Sequence, residues 1–340
     1  VGCIVCHGGV GGVAEKDAAH KGIRRDPTEK PGEACGTCHG EIVKNAATSL
    51  HYTQNGYWTF LKTVGVDVNA PAAKEAFANH CADCHTTCGQ CHVSRPSYTG
   101  GGLLAGHTLK KVASLSDTCM ACHGARVGDE YRGNYDGIEG DAHWVKLGMA
   151  CNKCHSQVSL HGDGKEHATM FDKPETTCLT CHSAVATDTK IQQHALHKDK
   201  LSCQVCHAAG AYKNCANCHV GKDAKGLPFR TLDPSWMDFK IGKNPNKTAD
   251  LPYDYVLVRH VPTNPDLFKA YGIVYPNPNA VSSWRLTTPH NIQRKTTQNA
   301  SCNNCHGNAK LFLTKDAVKP EHLDANKNVI VETIPPKMGQ

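Results

Sequence analysis

Every one of the 20 cysteines lies in a Cys-x-x-Cys pair, and His follows each pair at once. The ten motifs are Cys3/Cys6/His7, Cys35/Cys38/His39, Cys81/Cys84/His85, Cys88/Cys91/His92 and Cys119/Cys122/His123, then Cys151/Cys154/His155, Cys178/Cys181/His182, Cys203/Cys206/His207, Cys215/Cys218/His219 and Cys302/Cys305/His306. This spacing suits covalent attachment of c-type haem: two thiols add to vinyl groups at the porphyrin edge, and the adjacent imidazole ligates the iron. With His at one position in about fifteen, ten successes in ten arise by chance on the order of once in 10^12, which disfavours structural zinc and disulfide frameworks. A Cys₄ zinc site has no need of His after every pair. A thioredoxin-like dithiol calls for a single pair in an α/β context, and that context is missing.

Ten haems leave ten sixth coordination positions. The histidines outside the motifs number twelve: His20, His51, His80, His107, His143, His161, His167, His194, His197, His260, His290 and His322. Five methionines are too few to serve instead, and Met120 sits inside its own motif. Bis-histidine, low-spin iron is therefore expected, with ten of the twelve as ligands and two spare.

Leu, Ile, Val and Phe number 20, 10, 24 and 7, which is 18% of 340 residues and below what a chain needs to build its own core. Ten apolar macrocycles would supply that core, and the apo-protein should be disordered. The formal charge of +6 falls to about −4 once ten ferric haems with ionised propionates are added. Neither a long basic run nor a recognition motif points to nucleic acid. No apolar stretch reaches membrane-spanning length. Covalent haem attachment takes place outside the cytoplasm, so an exported chain is expected, extracellular or at the cell surface, with a signal peptide removed before Val1.

The elements that must hold these groups are short. First cysteines of successive motifs are 32, 46, 7, 31, 32, 27, 25, 12 and 87 residues apart. In each set of five, the third and fourth motifs form the close pair, which suggests duplication of a five-haem unit. An extended chain allows at most about 25 Å between His85 and His92. The duplication matches His51 and His80 with His194 and His197, His143 with His322, His20 with His161 or His167, and His107 with His260 or His290.

Four stretches follow: 1–124 with five motifs, 125–219 with motifs six to nine, a haem-free 220–301, and 302–340 with the tenth. The expected fold is mostly irregular chain with short α-helices wrapped around a stack of haems. Helices are expected in Glu41 to Tyr52 and Ala70 to His85, and β-structure only in 250–262 and 328–334. The segment Val220 to Ser301 has 9 of 17 prolines and reads as a small β module, an arm over the chain's own haems, or an arm on a neighbouring subunit.

Ten such motifs with abundant spare His, together with KLSCQVCHAAGAYKNCANCH (Lys200 to His219), resemble the multihaem (decahaem) c-type cytochromes of extracellular electron transfer. The resemblance implies ten covalent haem c groups and electron transport to a metal, a mineral or another redox protein, with self-polymerisation into filaments in some members. The rival is an enzyme, a reductase of nitrogen or sulfur oxyanions with one open haem. The absence of a Cys-x-x-Cys-Lys motif speaks against it.

Overall fold

A computed structural model describes residues 2–84, 86–172, 176–208, 210 and 212–339. His85 and the side chains of Cys215 and Cys218 lie outside the described parts. The chain divides into two compact units. The first comprises Val1–Thr59, Cys81–Cys122 and Cys151–Pro174; the second comprises Phe60–His80, His123–Ala150 and Glu175–Gln340.

The first unit is built from single helical turns and loops. The longest of its helices is α1, Gly36–Ala46, which is kinked at His39 (φ −119°, ψ 41°). The motifs repeatedly close one turn: the His39, His155, His182 and His306 amides donate to the carbonyls of Cys35, Cys151, Cys178 and Cys302 at 2.8–2.9 Å. A turn of this kind sets residues i, i+3 and i+4 on one face. Both thiols and the imidazole of a motif therefore address the same side.

The second unit contains α2 (Asn55–Thr63, which begins in the first unit's sequence) and α3 (Pro71–His80), and all the regular β-structure described. Strands β1 (Tyr212–Lys222) and β2 (Pro228–Met237) form an antiparallel hairpin with a bulge between Asn214 and Asn217. Asp223 caps its turn, accepting from the Lys225 and Leu227 amides at 2.8 Å, and Gly226 takes the positive φ of +79° that the turn requires. Strands β3 (Phe239–Lys243), β4 (Tyr255–His260) and β5 (Trp284–Leu286) make a three-stranded antiparallel sheet with β4 central.

Side chains alternate across a strand, so β4 serves two cores. Leu257 joins Val205, Ala208, Ile241, Phe312 and Val331 on one side, where Cys206 and Cys305 also pack. Val256 and Val258 join Trp284, Leu313, Val318 and Val329 on the other. The first of these cores holds motifs eight and ten against a rigid sheet. The short turn Cys203–His207 is further fixed by the Ser202 amide donating to the Tyr255 carbonyl at 3.0 Å.

Several expectations are refined. The helix expected over Glu41 to Tyr52 is α1 followed by Leu50–Thr53, and the one over Ala70 to His85 stops at His80. β-Structure in 250–262 is present as β4. Residues 328–334 are not a strand: the Val329 carbonyl accepts from Lys243 and the Val331 amide donates to Leu313, so successive residues pair with different segments and no ladder forms. Segment 220–301 supplies most of the two sheets, and motif nine lies in β1 instead of a helical turn.

The polypeptide exposes 19806 Å². Two separate globules of its total mass would expose about 16,000 Å². Val145 and Leu147 beside His143, and Leu196 beside His197, are 57–69% exposed. Among the described residues no helix is long and apolar enough to cross a membrane.

Candidate haem sites

Five pairs of imidazole rings stand at nearly one separation. They are His7–His107 at 6.1 Å, His92–His161 at 6.1 Å, His143–His182 at 5.9 Å, His194–His207 at 6.2 Å and His197–His306 at 6.1 Å between ring centres. Each joins one motif His to one His outside the motifs. Other aromatic contacts in the chain spread more widely, from 5.0 Å for His260–Trp284 to 6.4 Å for Phe268–Tyr271. With metal–nitrogen bonds of about 2.0 Å, and the nitrogen about 1.1 Å from its ring centre, two imidazoles across one iron have centres about 6.2 Å apart. The five pairs match that figure.

The second nitrogen of eight of these ten rings is also accounted for. Nδ1 of His7, His92, His207 and His306 donates to the carbonyls of Arg24 (2.7 Å), Lys110 (2.5 Å), Gln293 (3.0 Å) and Pro336 (3.1 Å). Nδ1 of His161 and His197 donates to the carbonyls of Gln157 (3.2 Å) and Gln193 (3.0 Å), one helical turn back. His143 and His194 donate instead to the carboxylates of Asp141 (2.8 Å) and Asp188 (2.9 Å). Donation from Nδ1 fixes the tautomer with its lone pair on Nε2, as metal-ligating imidazoles require. A carboxylate partner adds electron density and favours the ferric state. The hydrogen bond from His194, and after it the Lys190 amide, holds Asp188 below the usual carboxylate range. Burial first, and the charge of His92 second, hold His161 below its ordinary value, in the neutral ligating form.

The sequence could not have picked out these outer partners, with one exception: Asp141 is the side-chain cap of a helical turn and accepts from the His143 amide at 2.8 Å. An Asp two residues before a ligand His is a readable signal.

Two candidates have Nε2 engaged. His167 Nε2 meets Asp163 at 3.0 Å, and His161 is the member of that couple which pairs with a motif. His80 is buried, with Nε2 2.7 Å from the Tyr271 hydroxyl. The duplication places His80 among the ligands, and there the geometry disagrees with it. His51 donates from Nδ1 to the Leu160 carbonyl at 3.2 Å, and His322 donates from Nδ1 to Asn279 Oδ1 at 3.0 Å. His260 packs on Trp284, and burial lowers its pKa. The His290 amide donates to the buried Glu130. At motif nine, His219 Nε2 turns to Asp233 at 2.9 Å on the exposed hairpin.

The thiols of neighbouring motifs meet. Cys35 of motif two is hydrogen-bonded to Cys88 of motif four, Cys119 of motif five to Cys151 of motif six, and Cys178 of motif seven to Cys203 of motif eight. Cys6 acts on Cys35, Cys91 on Cys119, and Cys305 on Cys206 through their charges. Burial pushes the Cys91 and Cys206 thiols up to about 11, which disfavours thiolate chemistry there.

Not every attachment thiol is drawn inward. Cys38, Cys154 and Cys181 are exposed, as are Cys3 and Cys302, and Cys84 is half-buried. The turn itself is made, since the Cys38, Cys84, Cys154 and Cys181 amides donate to the carbonyls of Cys35, Cys81, Cys151 and Cys178 at 3.1–3.3 Å. What is short is cover. With Leu, Ile, Val and Phe at 18% of the chain, large apolar side chains are too few to enclose ten sites, and the Thr37 hydroxyl donates to Cys38 Sγ at 3.9 Å.

Among the described residues 18 cysteines form no disulfide, and no group of three or more His, Cys, Asp or Glu gathers as a metal site. Ligands that come in twos suit a planar macrocycle that fills the other four positions.

No family model, curated protein or solved structure matches the chain.

Proposed function

We propose that this chain carries electrons through ten covalently attached, bis-imidazole haem c groups. The observation that carries the reading is the set of five motif-to-distal His pairs at 5.9–6.2 Å, with Nδ1 occupied in eight of the ten rings. Haem supplies reversible one-electron chemistry at iron; the protein sets its ligands, its exposure and its neighbours. Neighbouring sulfurs of two motifs, each carried as a thioether on its own porphyrin, would bring two macrocycles close together. The contacts of motif two with four, five with six and seven with eight, and the packing of motifs eight and ten on one core, favour hopping between neighbouring haems. An iron held by both imidazoles of such a pair would have no position open to substrate and would serve as a relay.

The partners proposed are reduced redox proteins on one side and extracellular metal ions, minerals or cytochromes on the other, at the cell surface or beyond it. The test is a cycle of reduction and reoxidation. The purified protein should take up ten electrons from a strong reductant and lose them rapidly to ferric chelates and ferric oxide particles, while nitrite and sulfite remain unconsumed. Catalytic consumption of either oxyanion would replace the relay with the reductase reading.

A further inference from the structure

Two of the five His pairs differ from the rest in what stands behind the imidazole. His7, His92, His161, His197, His207 and His306 donate from Nδ1 to neutral backbone carbonyls. His143, which faces His182 of motif seven, and His194, which faces His207 of motif eight, donate to carboxylates instead: Asp141 at 2.8 Å and Asp188 at 2.9 Å. These two motifs are also neighbours, since Cys178 of motif seven is hydrogen-bonded to Cys203 of motif eight.

Both carboxylates are held in place as anions. Asp141 Oδ1 also accepts from the His143 amide and Oδ2 from the Ile292 amide, each at 2.8 Å. Asp188 Oδ1 accepts from the Lys190 and Ile191 amides at 2.9 and 3.3 Å. Among the described residues the ion-pair partner of each is its histidine alone, so no Lys or Arg cancels the charge. The Asp141 side chain is 3% exposed and that of Asp188 18%, so water screens Asp141 less. A full negative charge behind an imidazole makes it a stronger donor, and a stronger donor favours the more highly charged ferric ion.

We propose that Asp141 and Asp188 hold the motif-seven and motif-eight irons as an adjacent low-potential pair, the last of the five paired sites to take electrons and the first to give them up. The proposal rests on the haem reading above. Asp141 and Asp188 are positioning residues, each acting through its imidazole. Reduction of either site adds one electron from the reductant to one iron; the Nδ1 proton stays on its ring and no bond is broken. Adjacency sharpens the effect, because an electron placed on one site opposes the second on its neighbour. In the fully reduced molecule the electrons of this pair have the largest driving force toward an outside acceptor.

Equilibrium redox titration of the intact protein, followed by visible absorbance and electron paramagnetic resonance, tests the assignment. Asparagine keeps the acceptor oxygen and the capping role while removing the charge. Asp141→Asn and Asp188→Asn should each keep every haem by mass and every low-spin signal, and each should move a single one-electron wave upward out of the low-potential half of the titration. The expected change is about tenfold in the ferrous-to-ferric ratio at fixed potential, or about 59 mV for one electron, and larger for Asp141→Asn. Asp163→Asn is the control, because that carboxylate meets His167 at Nε2, and it should move no wave so far. Lowest waves unmoved in both variants, a moved wave that belongs to the high-potential half, an equal shift from Asp163→Asn, or a haem turned high-spin would overturn the proposal. A chain without covalent haem would show no waves at all and would remove the reading beneath it, whereas ten waves with the lowest unmoved would remove this inference alone.

Discussion

Replacement of His197 by alanine is expected to raise the number of high-spin, carbon-monoxide-binding haems by one, while His167→Ala leaves that number unchanged. Both residues are histidines outside the motifs, and composition gives no reason to separate them. Geometry does. The His197 ring stands 6.1 Å from that of His306, and its Nδ1 is held by the Gln193 carbonyl at 3.0 Å. His167 spends Nε2 on Asp163 at 3.0 Å. Loss of His197 removes one of two strong-field ligands, and the iron it served becomes five-coordinate or takes water. Motif ten keeps its thioethers and His306, so the haem stays attached and the sheet beneath it stays packed. Ferric electron paramagnetic resonance and titration of the reduced protein with carbon monoxide give the count directly: one additional haem in ten for His197→Ala, none for His167→Ala.

The second large effect is on folding. A chain produced without haem attachment is expected to lack cooperative unfolding and to be cut by protease throughout its first unit. The polypeptide exposes 19806 Å², against about 16,000 Å² for two globules of the same mass. Its largest fully buried side chains include Val64, Val256, Val258, Leu313 and Val331, all in the second unit. Haem attachment would also close loops. A link from His197 through iron to His306 would span about 110 residues, and a crosslink over such a loop contributes about 4–5 kcal/mol by restricting the unfolded chain. That is a large share of the 5–15 kcal/mol by which typical domains are stable. Circular dichroism of the apo-chain should show little ordered structure, and the region of β3 to β5 should resist proteolysis longest.

Much of the site was legible in the sequence because its chemistry is local. Five consecutive residues fix two thioethers and one ligand, and one helical turn presents all three. The surplus of histidines over motifs was equally plain, and of the couple His161 and His167 it is His161 whose ring stands 6.1 Å from that of His92. The pairings themselves were not legible, since they join distant segments through tertiary packing that spacing does not encode. Nor was the uneven cover of the thiols, with Cys206 packed into a core and Cys38, Cys154 and Cys181 exposed, because identical motifs carry no record of what folds over them. Residues 328–334 misled because alternating Val and Ile read as a ladder, whereas Val329 and Val331 bond to two different segments. The hairpin Tyr212–Lys222 and Pro228–Met237 was hidden by a motif in one strand and two prolines in the other, both of which argue against strand. The pair Asp141–His143 carried a readable cap signal; Asp188, six residues before His194, carried none.

The central claim is that iron macrocycles tethered through these twenty cysteines join the facing imidazoles. The mass of the purified chain, measured intact under denaturing conditions, tests it most directly. The account predicts the 36.7 kDa polypeptide increased by ten haem groups that survive acid and organic solvent; a mass of 36.7 kDa alone would contradict it.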